Sequence, residues 1–284
     1  MSEMRICGKT FDEERALYGA RSVHLSDCRF EGEADGESAL KESADVACTD
    51  TLFALRYPLW HTSRASLRHI HMTVTCRAPL WYAKDVRIDG SRILGPKAVR
   101  ECHAVALVSS EVDSEEFGWL SSELLLEDSS VKGMYAFFHS KNITAKGLRF
   151  EGKYSFQYVE NVTISNARLC TKDAFWHAKN VTVTDSVIEG EYLGWYAENL
   201  RLIRCHIKGT QPLCYTKGLY MEDCTMEGCD LAFEKSEVDV TVKGRVDSVK
   251  APAAGIIRAD EICEILPQND GSMGGATVIV GKRE

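Results

Sequence analysis

Apolar and polar residues alternate along this chain in a pattern that returns every 19 residues. Val86, Val105, Leu124, Ile143, Val162, Val181, Leu200, Leu219 and Val238 hold one register position. Two residues on stand Ile88, Leu107, Leu126, Ile164, Val183, Leu202 and Met221, and seven on stand Ile93, Val112, Val131, Phe150, Leu169, Ile188, Ile207 and Met226. An apolar pair separated by one polar residue has the period of a half-buried strand and not of a 3.6-residue helix. Five residues on, side chains are mostly small (Ser91, Ser110, Ser129, Ala167, Ser186, Cys205, Cys224), as a tight inner corner requires.

Val23, Leu25, Cys28 and Phe30 repeat the template upstream, as do Val46, Cys48 and Phe53. Their step of 23 predicts an inserted loop at EADGESALKE. The next turn holds either Ala65, Leu67 and Met72 or the same pattern shifted by two. About twelve turns are expected, in one β-helix domain with an N-terminal cap over 1–22, repeat turns over 23–246 and a C-terminal cap or strand over 247–284. A leucine-rich repeat would place Asn after its leucine run, whereas here Asn142, Asn161, Asn180 and Asn199 stand directly before the aliphatic residue. A left-handed hexapeptide helix requires a multiple of six. The predicted class is all-β, a single-stranded right-handed parallel β-helix. At the bend before each strand Asn tolerates the left-handed conformation, and amides stacked about 4.8 Å apart can hydrogen-bond into a column.

Ahead of each Asn position runs an aromatic segment: APLWYAKD, EFGWLSSE, YAFFHSKN, YSFQYVEN, DAFWHAKN, YLGWYAEN and QPLCYTKG. Read as a strand, it presents alternate residues to opposite faces. One set contains Trp81, Trp119, Phe138, Trp176 and Trp195, with Arg100 and Gln157 as its polar members. The other contains Tyr82, His139, Tyr158, His177, Tyr196 and Tyr215, with Tyr135, Tyr154, Asp173, Tyr192, Gln211 and Asp230 four residues earlier and Phe137, Phe156 and Phe175 between. Because the second set carries most of the polar atoms, the tryptophans are expected inside and the Tyr/His/Asp set outside.

Charge and cysteine content narrow the choice of partners. With 34 basic and 42 acidic residues the net charge is −8, and no basic stripe suited to nucleic acid appears. No segment approaches the roughly 18 uninterrupted apolar residues of a membrane span, and the first residues lack a signal-peptide pattern, so a cytoplasmic location is expected. The eleven cysteines form no CxxC pair and no Cys/His quartet of zinc spacing. Several fall on apolar repeat positions, which predicts reduced cysteine used as a small hydrophobe. No metal or cofactor is expected.

The motifs RYPLWH, CRAPLWY, EFGW, GKYSFQY, TKDAFWH, GEYLGWY and TQPLCY resemble those of a bacterial family of uncharacterised proteins, catalogued as a domain of unknown function, with the right-handed pectin-lyase-like β-helix fold. The resemblance implies that fold and implies no activity. Polygalacturonase-like hydrolases share an Asp-Asp pair and a Gly-His-Gly loop, and this sequence contains neither.

Stacked rings carrying hydroxyl, imidazole and carboxylate groups suit an extended polar polymer. The expected function is therefore non-catalytic binding of carbohydrate or another polymer through Tyr154, Phe156, Tyr158, Phe175, His177, Tyr192, Tyr196 and His139. The most plausible group for cryptic carbohydrate chemistry is Lys153, Lys172, Asp173, His177 and Glu191, with Asp173 or Glu191 as acid or base and a lysine holding a substrate carboxylate. The alternative is a protein-interaction or self-assembling scaffold, a homo-oligomer with the aromatic face or the C-terminal GGATVIVGK strand at its interface. Neither nucleic acid nor membrane is an expected partner.

Overall fold

The structure is a computed structural model that describes residues 3–281. These are all-β, with about 15 turns of parallel solenoid and no helix among them. The chain divides into two compact units, Met1–Thr144 and Ala145–Glu284. In the first, the strands Met4–Cys7, Arg21–Ser26, Ala44–Thr49, Ser63–Arg68, Lys84–Asp89, His103–Val108 and Ser122–Glu127 pair in parallel, each with the next. In the second, Glu160–Ser165, Lys179–Thr184, Glu198–Ile203, Leu219–Glu227, Glu237–Lys250, Ala254–Leu266 and Thr277–Val280 do the same. The strand Lys141–Lys146 lies at the division.

The count exceeds the expected twelve because three rungs lie outside the expected repeat range of 23–246, the first of them still at the 19-residue step. Met4 and Ile6 pair with Val23 and Leu25. At the other end Val240 pairs with Ile257, a step of 17, and Ile257 with Val278, a step of 21. Those unequal steps break the 19-residue period while leaving the pairing intact. The ambiguous turn takes the unshifted register, with Ala65 beside Val46 and Val86 and Met72 beside Phe53 and Ile93. Of the expected insertion, Glu37, Ala39 and Lys41 rejoin the turn by accepting the amides of Arg15, Leu17 and Gly19, so the excess precedes Glu37.

Local chemistry explains each turn. Its long strand opens on a left-handed residue, with φ of 56° at Asn142, 58° at Asn161, 54° at Asn180 and 55° at Asn199. Asn180 donates its amide to Asn161 Oδ1 (3.1 Å), and Asn199 donates to Asn180 Oδ1 (3.0 Å). In the first unit the same position carries Asp45 and Arg64, joined by two bonds of 2.7 and 2.9 Å. After that opening, side chains alternate out and in. Val86, Val105, Leu124 and Ile143 in the first unit, and Val162, Val181, Leu200 and Leu219 in the second, are at most 4% exposed.

The small corner residue also satisfies backbone that the bend strands. Ser91, Ser110 and Ser129 each donate to the carbonyl two residues back (2.8, 2.7 and 2.8 Å) and accept the amide of Ile70, Ser91 and Ser110 (3.0, 3.0 and 3.1 Å). Ser186 repeats this in the second unit, on Thr184 O and the Ala167 amide. Cysteine fills the corner at Cys28, Cys205 and Cys224, all buried. Burial pushes the thiols of Cys76, Cys102, Cys214 and Cys229 up to about 12, so they are neutral and packed at physiological pH.

Candidate functional site

In the second unit the aromatic side of the turns at Tyr154, Asp173 and Tyr192 is not a strand, whereas in the first unit it keeps the short paired strands Leu80–Trp81 and Val99–Arg100. Tyr154, Phe156 and Tyr158 have φ of 59°, 55° and 57°; Asp173, Phe175 and His177 have 55°, 60° and 53°; Tyr192, Gly194 and Tyr196 have 57°, 71° and 59°. Every second residue is left-handed, so the chain curls, and positions two apart no longer share a face. A side chain in that conformation costs roughly 1–2 kcal/mol. Packing must supply the difference.

That curl separates the expected set. In the second unit the middle residues turn inward: Phe156 and Phe175 are 0% exposed and stack with centroids 5.2 Å apart. They belong to the core, which corrects their expected place on the exposed face. Volume at this position is conserved by exchange with the preceding residue. Ser155-Phe156 and Ala174-Phe175 are small then large, whereas Leu193-Gly194 is large then small. A Cβ on Gly194 would meet Leu200 Cδ2 at 2.9 Å and Leu213 Cδ2 at 3.0 Å, so glycine is required both for space and for φ. In the first unit Phe117-Gly118 and Ala136-Phe137 make the same exchange.

The last residue of each triplet points outward. Tyr158 (43%), His177 and Tyr196 (42%) are exposed, and Tyr215 is half-buried. Their rings form one stack: Tyr158 to His177 5.0 Å at 10°, His177 to Tyr196 5.0 Å at 7°, Tyr196 to Tyr215 4.9 Å at 15°. Ring faces are thereby spent on one another, and what remains at the surface is a row of edges bearing hydroxyl and imidazole groups.

Beside this row stand Trp176 and Trp195, parallel within 3° at 5.5 Å. They are half-buried where full burial is expected, because each indole N–H reaches along the surface to a carbonyl one turn on, Tyr192 O (2.9 Å) and Gln211 O (2.8 Å). Gln157 occupies the same column and donates to Asp173 O at 3.1 Å. In the first unit Arg100 does so, its guanidinium carbon 5.6 Å from the Trp81 ring and 5.1 Å from the Trp119 ring. A flat cation replaces an indole there.

The candidate acids and bases are only partly brought together. Lys172 and Glu191 form an ion pair of 2.8 Å, and Lys172 lies 5.2 Å from the Tyr192 ring centroid. Asp173 is 7% exposed, between the half-buried Tyr154 and Tyr192 of adjacent turns. Burial holds its carboxyl above the ordinary range, against the opposing pull of Lys172, with Glu191 adding to the rise. It is thus a covered group. Lys153 is exposed at the end of Arg149–Lys153. His139 belongs to the first unit, edge-on to Phe138 at 4.4 Å. That unit carries its own outward stack, His61 on Tyr82 at 4.8 Å.

Tyr215 extends the row in the second unit, and its motif TQPLCY places it in register with Tyr196. Burial raises its hydroxyl pKa, and Glu234 raises it further.

A family model described as "Protein of unknown function (DUF3737)" matches residues 4–280. No curated protein sequence matches the chain. In structure it is similar to PfbA, a surface adhesin of Streptococcus pneumoniae, with a TM-score of 0.51 and 9% identity over 93% of this chain and 83% of that one. It is also similar to the A-module of the mannuronan C-5 epimerase AlgE4 of Azotobacter vinelandii, with a TM-score of 0.35 and 10% identity over 99% and 87%. The PfbA likeness is one of fold.

Proposed function

The chain thus belongs to the DUF3737 family of proteins of unknown function, and we propose that it binds an extended carbohydrate, without catalysis, along the Tyr158–His177–Tyr196–Tyr215 row. One observation carries this reading. Four rings from successive turns present polar edges at 4.9–5.0 Å intervals on an exposed surface. Hydroxyl and imidazole groups at a constant spacing match a polymer with a hydroxyl rim, and they do so edge-on, since the ring faces are occupied. Binding is favoured over catalysis because Glu191 is held by Lys172 and Asp173 lies beneath the surface.

The test is a glycan array paired with size-exclusion light scattering. Saccharide binding by a monomer is expected. His177→Phe keeps a ring in the stack and removes both ring nitrogens, and it should weaken binding a few-fold, as loss of one or two exposed hydrogen bonds of about 0.5–1 kcal/mol each would do. An array without hits, or a stable oligomer that covers the row, overturns the reading; the second outcome favours a self-assembling scaffold.

A further inference from the structure

The ring row ends at Tyr215, and the turn beyond contributes Lys235 in place of a ring, its ammonium 5.8 Å from the Tyr215 centroid. Past this point the surface is not flat. Tyr215, Glu234, Lys235, Gln268, Asp270 and Ser272 line a cleft of about 540 Å³, within the range of about 300–1,000 Å³ usual for small-ligand sites.

Its far wall is the loop 267–274, and that wall is braced. Gln268 donates its backbone amide to Ser272 O (2.7 Å) and its side-chain amide to Ala251 O (3.3 Å), while Gly275 N–H reaches Pro252 O (3.0 Å). Gly274 permits the closest approach, since a Cβ there would stand 2.1 Å from Pro252 O.

The chemistry of the cleft selects a class of ligand. Asp270 Oδ1 accepts the Ser272 amide at 2.9 Å, which holds the carboxyl below its ordinary range and leaves Oδ2 as an acceptor. Gln268, whose amide nitrogen is engaged, offers its carbonyl oxygen. Lys235 supplies a donor. Glu234 is neutralised by Lys250 at 3.2 Å. An anionic ligand would face Asp270 and a cationic one Lys235. A neutral polyhydroxylated ring satisfies both signs: the Gln268 and Asp270 oxygens accept from its hydroxyls and the Lys235 ammonium donates to them, beside a single aromatic edge.

We propose that this cleft is a terminal subsite that receives the chain end of a neutral saccharide whose remaining units lie along the ring row. The proposal rests on the carbohydrate-binding reading above and adds a polarity to it: the polymer enters from one side and stops at the 267–274 wall.

Calorimetric titration of the full chain with linear malto-, cello- and laminari-tetraoses, and with cyclodextrins, which have no chain end, separates the two ideas. At least one linear tetraose should bind and the cyclodextrins should not. Asp270→Ala, at an exposed loop position, should weaken tetraose binding about ten-fold, the size of a lost charged hydrogen bond; Lys235→Ala should weaken it less. If His177→Phe lowers affinity while Asp270→Ala does not, or if cyclodextrins bind as well as the tetraoses, the terminal subsite is refuted and the row stands. If no tetraose binds, or none responds to either change, both readings fall.

Discussion

Replacing Asn180 measures what the bend position contributes. Its side chain makes two amide bonds, donating to Asn161 at 3.1 Å and accepting from Asn199 at 3.0 Å, and its backbone sits at φ 54°. Both bonds are exposed, so water replaces much of what is lost, and each is worth close to the low end of the usual net range, about 0.5 kcal/mol. Alanine gains no local hydrogen bond that offsets the left-handed conformation, which adds about 1 kcal/mol. Asn180→Ala should therefore lower stability by about 2 kcal/mol. Asn180→Gly removes the same bonds but accepts the conformation, so its loss in the folded state should be nearer 1 kcal/mol. Urea unfolding followed by far-ultraviolet circular dichroism and by tryptophan fluorescence reads both, with coincident transitions as the condition for converting midpoints into energies. Unchanged midpoints in both variants would refute the amide bonds as a source of stability. Because glycine also adds about 0.5–1 kcal/mol of unfolded-chain entropy, a clearly larger loss in glycine than in alanine would refute the backbone contribution.

Other changes probe the division between core and surface. Phe175→Ala should cost about 3–5 kcal/mol in urea unfolding, as a buried ring deleted from a packed stack, while Tyr158→Ala at the surface should cost less than about 1 kcal/mol; comparable losses would mean the two are misassigned. Asp173→Asn should raise stability at neutral pH. The carboxyl's folded pKa lies above its ordinary 3.8, so the native state binds the proton more tightly and stability falls as pH rises through that window; the gain should vanish at pH values below 3.8, and a gain independent of pH would refute the charge argument. A thiol reagent applied to the native protein should modify the exposed Cys7 and Cys263 rapidly and the half-buried Cys170 slowly, with the eight buried cysteines reacting only after denaturation. Rapid modification of more than three would contradict the packing.

The strands were legible in sequence because an extended backbone ties side-chain direction to parity. Val181 and Val183 point inward for the same reason that Thr182 does not, and the step of 19 copies this from turn to turn. The bend was legible too, since few residues other than Asn and Gly adopt φ near 55° cheaply. The aromatic side escaped because parity fails there: Tyr154, Phe156 and Tyr158 are spaced like strand neighbours but are half-buried, buried and exposed in turn. A signal was present in the exchange between YAFF or DAFW and YLGW, where a large residue moves one place when glycine takes the second position, as it would only if both places met one buried volume. The final rungs escaped for a different reason. Steps of 17 and 21 cannot be recognised by a fixed period, although parallel pairing absorbs them without difficulty.

The spacing of the ring row is set by the backbone and not by anything that lies on it, so it acts as a ruler of fixed graduation. Its intervals of 5.0, 5.0 and 4.9 Å cannot stretch without breaking the rung hydrogen bonds beneath. A chain molecule whose own repeat matches gains one further contact with each turn it crosses. One whose repeat is slightly longer or shorter drifts out of phase, as the two scales of a vernier do, and after a few turns its groups meet gaps. Discrimination between chemically similar polymers would then come from pitch, growing with the length bound, even though no single position distinguishes them.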